Sequence, residues 1–159
     1  LNSAEMFGTE TVRVRPLNCY GPHEYYSSYR GVIPIFVYRG MMELPFTVYK
    51  GHKRIFDYVS DTARTMSNIS ENFIPGEVYN IGSRQDWITD IKDLSDLVLK
   101  ILGKDDGKVT YKDAEAFTTG TKLVDSSKAE LHLGHDPKVT LEEGLTRYID
   151  WMKSVYHPG

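Results

Sequence analysis

Apolar positions along the chain follow two periods. Ile91, Leu94, Leu97, Val98, Ile101 and Leu102 fall at the three-and-four spacing of one helical face, with Thr89 or Asp90 placed to cap its start and Gly103 its end. Leu141, Leu145, Tyr148, Met152 and Val155 repeat that spacing in the last helix. There Glu142, Arg147 and Lys153 take the wet face, and Thr140 and Glu143 sit at capping-box distance. Val32–Met42 reads as a helix with Pro34 in its first turn, where a missing N–H costs little. Ser60 or Asp61 opens another helix running to about Asn72, and Asp125 a short one through Leu133. Leu1–Phe7 reads as a helix end stopped by Gly8, with no start signal of its own. The period-two stretches are Thr11–Arg15, broken at Pro16; Phe46–Tyr49; Arg54–Val59, after the turn Lys50-Gly51-His52-Lys53; Glu77–Ile81, after the Pro75-Gly76 break; and the short run Val109-Thr110-Tyr111. Between them, Asn18–Gly31 is the longest irregular stretch, and Ala114–Gly120 is a polar loop. Short strands alternating with helices predict an α/β fold, with too few strands to complete a doubly wound sheet.

The 159 residues, 40% of them hydrophobic, are enough for one core and so for a single domain, 1–159. Nineteen basic against twenty-two acidic residues give a net charge of −3, which lacks the basic excess of a nucleic-acid binder. The single Cys19 forms no internal disulfide. There is neither a signal-peptide layout nor an apolar run near the roughly 20 residues that cross a bilayer, so a cytoplasmic protein away from membranes is expected. The Leu1 start and the uncapped first helix predict a further segment upstream. Among the five histidines only His132 and His135 approach ligand spacing; they read as a surface pair, and no metal site is expected.

Arg15-Pro16-Leu17-Asn18-Cys19-Tyr20-Gly21-Pro22 places the Asn18 amide just past the carboxyl end of a strand, where open α/β sheets form ligand crevices. Asn-x-x-Gly-Pro is equally ordinary turn chemistry. This octapeptide is followed in order by Val32-Ile33-Pro34, Phe46-Thr47-Val48-Tyr49 and Arg54-Ile55-Phe56-Asp57-Tyr58-Val59-Ser60-Asp61. Then come Glu77-Val78-Tyr79-Asn80-Ile81-Gly82, Leu133-Gly134-His135-Asp136-Pro137 and Leu141-Glu142-Glu143-Gly144-Leu145, with Trp151 beyond them. The whole series resembles the extended short-chain dehydrogenase/reductases that act on nucleotide sugars, the NAD-dependent 4,6-dehydratases and 4-epimerases.

The resemblance implies the C-terminal part of a Rossmann-like fold: the last strands of its sheet and a small substrate-binding α/β subdomain. Asn18 and Arg54 would hold the sugar diphosphate, Phe46, Thr47 and Tyr49 would lie along the base, and Val32, Asn80 and Thr89 would belong to the same substrate site. Pro16 and Leu17 would border the nicotinamide of NAD. Without the family pattern, Arg54 reads as a solvated strand arginine, Phe46–Tyr49 as a core strand and Thr89 as a cap. Asp61 reads as structural, and Trp87 and Trp151 as packing. Ile55 and Ser60 stand where the family often has acids, and the turn before Arg54 is short, which leaves the base open. The His23–Arg30 segment has no family counterpart.

Two family motifs are missing. No glycine-rich GxxGxxG turn follows a strand to cradle the pyrophosphate of NAD, and no helical YxxxK pair is present. Tyr49 and Lys53 have that spacing but lie on a strand and turn after the Asn18 motif, whereas the family's pair precedes it on a helix. The parent enzyme, a lyase or isomerase of carbohydrate biosynthesis and a homodimer when intact, would oxidise the sugar at C4. This chain is expected to be its substrate-binding half, inactive without the N-terminal NAD-binding portion. The competing expectation is a stand-alone, noncatalytic nucleotide-sugar-binding or assembly module.

Overall fold

Most elements form where the pattern of positions puts them. The computed structural model describes residues 2–157. Leu1, at the head of the expected first helix, lies outside the described residues. The helix α1 (Asn2–Phe7) ends at Gly8, φ 62°. Then follow β1 (Arg13–Pro16), β2 (Cys19–Tyr20), α2 (Val32–Met41), β3 (Phe46–Lys50), β4 (Lys53–Arg54), β5 (Asp57–Tyr58), α3 (Val59–Ser67) and β6 (Val78–Ile81). The remainder is β7 (Thr89–Asp90), α4 (Ile91–Leu102), β8 (Val109–Asp113), β9 (Thr121–Lys122), α5 (Ser127–Leu133) and α6 (Leu141–Tyr156). Asp90 caps α4 by accepting the Lys92 N–H at 2.8 Å, and Gly103 closes it at φ 67°. Thr140 accepts the Glu143 N–H at 3.4 Å, but the Glu143 carboxylate turns to Arg147, so only half of the capping box forms.

The expected strand Arg54–Val59 is two strands with different partners. β4 lies between antiparallel β7 and parallel β9, whereas β5 pairs with β2, so Ile55 and Phe56 form a crossing between two sheets. The helix α3 starts at Val59, one residue before Ser60, and its N-cap Tyr58 makes no side-chain cap bond. Asp61 is therefore no cap. It is 1% exposed; Oδ2 accepts the N–H groups of Lys138 and Val139, both at 2.9 Å, and Oδ1 pairs with Arg64 at 2.9 Å. One carboxylate thus fastens the segment leading into α6 onto α3. A single 3-10 turn (Asn68–Ser70) ends this helical stretch short of Asn72.

The histidine pair also differs from expectation. His135 is buried, with Nδ1 2.7 Å from the Thr65 hydroxyl and Nε2 2.7 Å from the Gly82 carbonyl, while His132 meets the Tyr79 hydroxyl at 3.1 Å. Buried polar groups need partners, and the ring finds one on each side.

β1 and β6 run parallel, Arg13 opposite Val78 through Pro16 opposite Ile81, and so do β3 and β8, Phe46 opposite Val109 through Lys50 opposite Asp113. Two apolar clusters result. The larger packs α2, α4 and α6 around β3, with Val37, Val48, Leu94, Val98, Leu145 and Met152 almost fully buried. The smaller lies against β6, where Tyr79 and Ile81 meet Ala129 and Leu133 of α5. Among the described residues, no helix is long and apolar enough to cross a membrane.

Asp61→Ala leaves the part-buried N–H groups of Lys138 and Val139 without their acceptor and removes the ion-pair partner of Arg64. It is expected to lower unfolding stability by about 2 to 4 kcal/mol. Urea titration of the two chains checks this, and a loss below about 0.5 kcal/mol would remove Asp61 from its anchoring role.

Candidate functional site

The site begins at the end of β1. Leu17 still donates its N–H to the Ile81 carbonyl of β6 at 2.8 Å, but the next carbonyl, that of Asn18, accepts from Asp57 of β5 at 3.2 Å. This change of sheet within two residues needs a sharp bend, and Asn18 supplies it with φ 49°, a left-handed conformation that asparagine tolerates better than most residues. Its Nδ2 donates to the Ile55 carbonyl at 2.8 Å, which pins the crossing between β4 and β5 beside it. The side-chain oxygen keeps its acceptor capacity. Gly21 turns the chain again at φ 146°, where a Cβ would stand 2.5 Å from Val59.

These bends open a cavity of about 310 Å³. Asn18, Cys19 and Tyr20 line it from the first turn, Gly31 to Pro34 from the start of α2, Thr47 and Tyr49 from alternate positions of β3, and His52 and Arg54 from β4 and its approach. Glu24 and Glu115 add carboxylates. Gly31, the N-cap of α2, makes no side-chain cap bond, so the first-turn N–H groups of Val32 and Ile33 lack a capping partner; Pro34 has none to satisfy. That helix end carries partial positive charge.

Arg54 supplies full charge. Nη1 donates to the carbonyls of Lys53 and Gly120 at 2.8 and 2.9 Å, and Nη2 to that of Thr119 at 2.8 Å. Of five guanidinium N–H donors three are engaged, so Nε–H and one Nη2–H stay open to an anion. The same contacts, with Nδ1 of His52 3.1 Å from the Thr119 carbonyl, hold the 114–120 loop as a strap across this end of the cavity. At its tip Phe117 is wholly exposed at φ 66°.

Tyr20 is buried and its hydroxyl donates to the Leu141 carbonyl at 3.3 Å. Burial, with Tyr58 and Asp57 nearby, pushes its phenol far above the ordinary range, so it remains a neutral wall. Gly144 of α6 packs on that hydroxyl, and a Cβ there would stand 2.2 Å from it. Cys19 is half-buried; burial raises its thiol, against a Thr62 hydrogen bond that lowers it. Burial also raises the Glu24 carboxyl, with Arg30 opposing, and its Oε2 is buried without a hydrogen-bond partner among the described residues.

Five of the expected residues thus meet at one cavity: Asn18, Val32, Thr47, Tyr49 and Arg54. Phe46 instead faces the core, 5% exposed with its ring 5.0 Å from that of Phe36, because neighbouring positions of β3 point to opposite faces. Thr89 sits opposite Arg54 in register and donates to the Trp87 carbonyl at 3.1 Å, outside the lining. Asn80, on β6, donates to the Asp125 carbonyl at 3.3 Å, apart from the cavity. Pro16 and Leu17 precede Asn18 without lining it. Glu24, His52 and Glu115 carry no periodicity; their presence in loops that face one another is visible only in three dimensions.

The family model for the NAD dependent epimerase/dehydratase family matches residues 1–82. The dTDP-glucose 4,6-dehydratase of Escherichia coli is 28% identical over 156 residues, covering 91% of this chain and 42% of that protein. GDP-L-fucose synthase 1 of Arabidopsis thaliana is 30% identical over 152 residues, covering 91% of this chain and 46% of that protein. The UDP-glucose 4-epimerase of Thermotoga maritima, solved with UDP-glucose, superposes with a TM-score of 0.83 at 30% identity, over 96% of this chain and 48% of that one. The chain thus spans about half the length of the relatives it matches.

Asp57 lies opposite the cavity-lining Cys19 in register, 1% exposed, with Oδ2 bonded to the Thr62 hydroxyl and Oδ1 without a hydrogen-bond partner among the described residues. Burial raises its carboxyl above the ordinary 3.8, outweighing the Thr62 bond and the His135 charge. An acid raised in the folded state binds its proton more readily there than in the unfolded chain, so stability falls as pH climbs through the folded pKa. Asp57→Asn removes that loss. Melting temperatures are expected to rise at pH 7 and to match wild type near pH 4; a larger gain at the acid end would contradict the assignment.

The α/β frame that holds this cavity is Rossmann-like, and the chain belongs to the NAD dependent epimerase/dehydratase family.

Proposed function

We propose that this chain is the substrate-binding half of a cytoplasmic NAD-dependent nucleotide-sugar dehydratase or epimerase, and that its cavity takes the nucleoside diphosphate of the sugar substrate. One observation carries this: Arg54, with two guanidinium donors open, and the uncapped first turn of α2 line the same 310 Å³ hollow as Asn18. A helix N-terminus and a guanidinium edge attract the same ligand, an oxyanion, and a diphosphate has enough oxygens to meet both. Tyr49, on β3, offers an aromatic face farther along the wall, where a base would stack. Glu24 and the Asn18 amide oxygen, at the other end, offer acceptors for sugar hydroxyls.

NAD itself does not fit the residues present. β1 ends in Pro16-Leu17-Asn18 and not in a glycine-rich turn, so no cradle of backbone amides awaits a pyrophosphate there. Pro16 and Leu17 would at most border the nicotinamide, and the cofactor's wall would come from the N-terminal portion of the intact homodimeric enzyme. Two features support such a missing wall. β1 and β6 form a two-stranded parallel sheet, and parallel sheets are stable when both faces are covered. Arg13, Arg15 and Pro16 are exposed on β1, and Met6 and Phe7 on α1. This chain's part in the reaction is therefore to hold the diphosphate and to orient the sugar toward that wall, as proximity catalysis requires.

Arg54→Ala is expected to weaken binding of nucleoside diphosphates to the chain by about 1.5 to 3 kcal/mol, and Arg54→Lys to restore only part of it, because a point charge lacks the planar fork. Calorimetric titration measures both. Equal affinity for wild type and Arg54→Ala would take Arg54, and the diphosphate, out of this cavity.

A further inference from the structure

The cavity wall has a direction. From Ile55, whose carbonyl holds Asn18, the chain runs back through Arg54 to His52, where the strap that carries Glu115 is held by way of Thr118 and Thr119. Register brings the two segments level. Lys50 stands opposite Asp113 at the ends of β3 and β8, so His52 and Glu115 each lie two residues beyond the paired ends. Both line the cavity, next to Tyr49. If Arg54 takes the diphosphate, as proposed above, Glu115 stands at the base end.

The Glu115 backbone is engaged: its carbonyl accepts from both the N–H and the hydroxyl of Thr118, at 3.3 and 2.7 Å, which fixes the start of the strap. Among the described residues its carboxylate makes neither a hydrogen bond nor an ion pair, in contrast to the nearby Asp113, which pairs with Lys50 at 3.2 Å. A carboxylate offers acceptors only. A base edge laid against it must therefore present donors, and two adjacent donors match its two oxygens as the guanidinium fork does.

Nucleobases divide cleanly on this requirement. Guanine carries N1–H and the exocyclic N2–H2 side by side on one edge. Uracil and thymine carry one N–H flanked by two carbonyl oxygens, which a carboxylate repels. Cytosine and adenine set their amino group beside a ring nitrogen that only accepts. We infer that Glu115 is a specificity-determining residue of this site and that the nucleotide it selects is a guanosine diphosphate. This inference rests on the proposed diphosphate site and adds the base to it. His52 meets Thr118 and Thr119 of the strap, and the Thr118 hydroxyl in turn donates to the Glu115 carbonyl.

Calorimetric titration of the chain with GDP, UDP, dTDP and CDP tests it. GDP is expected to bind about tenfold or more tightly than UDP, the worth of a charge-assisted hydrogen bond. Glu115→Ala should bring the GDP-to-UDP ratio near one by weakening GDP alone. Glu115→Gln, which presents one donor and one acceptor, should also erase most of the GDP preference, because every one of these bases has an adjacent donor and acceptor to complement it. Glu115 is exposed, so neither change threatens the fold. UDP or dTDP binding as tightly as GDP, or a ratio indifferent to residue 115, would overturn the assignment of guanine and leave the diphosphate site standing. No binding of any of the four would remove both.

Discussion

The change of sheet at Leu17 and Asn18 governs the rest of the molecule. A strand that stayed with β6 would continue past its carboxyl end, and a strand that belonged to β5 throughout would leave the small cluster around Tyr79 uncovered. Instead, consecutive backbone groups bond to Ile81 and to Asp57, and the side chain between them bonds to Ile55. Three elements are locked at one left-handed residue. Arg54 is held next to Asn18 because Ile55 is, and the strap is held because Arg54 is. The geometry of the cavity is thus inherited from a backbone bend rather than from its apolar lining.

Buried charge distributes the work around that bend. Asp61 is matched in charge, with Oδ2 accepting two N–H donors and Oδ1 ion-paired with the Arg64 guanidinium, and it serves as a fastener between α3 and the entry to α6. Asp57, four residues before it on β5, is undermatched: one oxygen bonds to Thr62 and the other has no hydrogen-bond partner among the described residues. A core strand that accepted only stability as its criterion would carry an apolar residue there. The two carboxylates show how the same residue type, four positions apart, is anchored in one place and strained in the other by what surrounds it.

Much of this was legible in the order of residues. Helices α4 and α6 announce themselves by spacing and caps, and Asp90 and Gly103 act as their side chains and φ angles require. The Asn18 octapeptide and Arg54 stood out as chemistry, and they meet at one cavity. What escaped was set by partners distant in sequence. Nothing within Arg54–Val59 signals that its first residue pairs with β7 and β9 and its fourth with β2. Asp61 reads as a cap until Lys138 and Val139, more than seventy residues away, reach its carboxylate. His135 looks like half of a surface pair until Thr65 and Gly82 enclose it. Phe46 and Thr47 are neighbours in one motif, yet strand alternation sends one to the core and the other to the cavity.

The proposed function requires an oxyanion to bind between the first turn of α2 and the free edge of Arg54. Amide and guanidinium resonances followed by NMR during titration with inorganic pyrophosphate address it directly. Saturable shifts are expected, concentrated at the Val32 and Ile33 amides and the Arg54 Nε, with Asn18 and Gly120 following. Shifts scattered over the exposed lysines, or none at the start of α2, would contradict it.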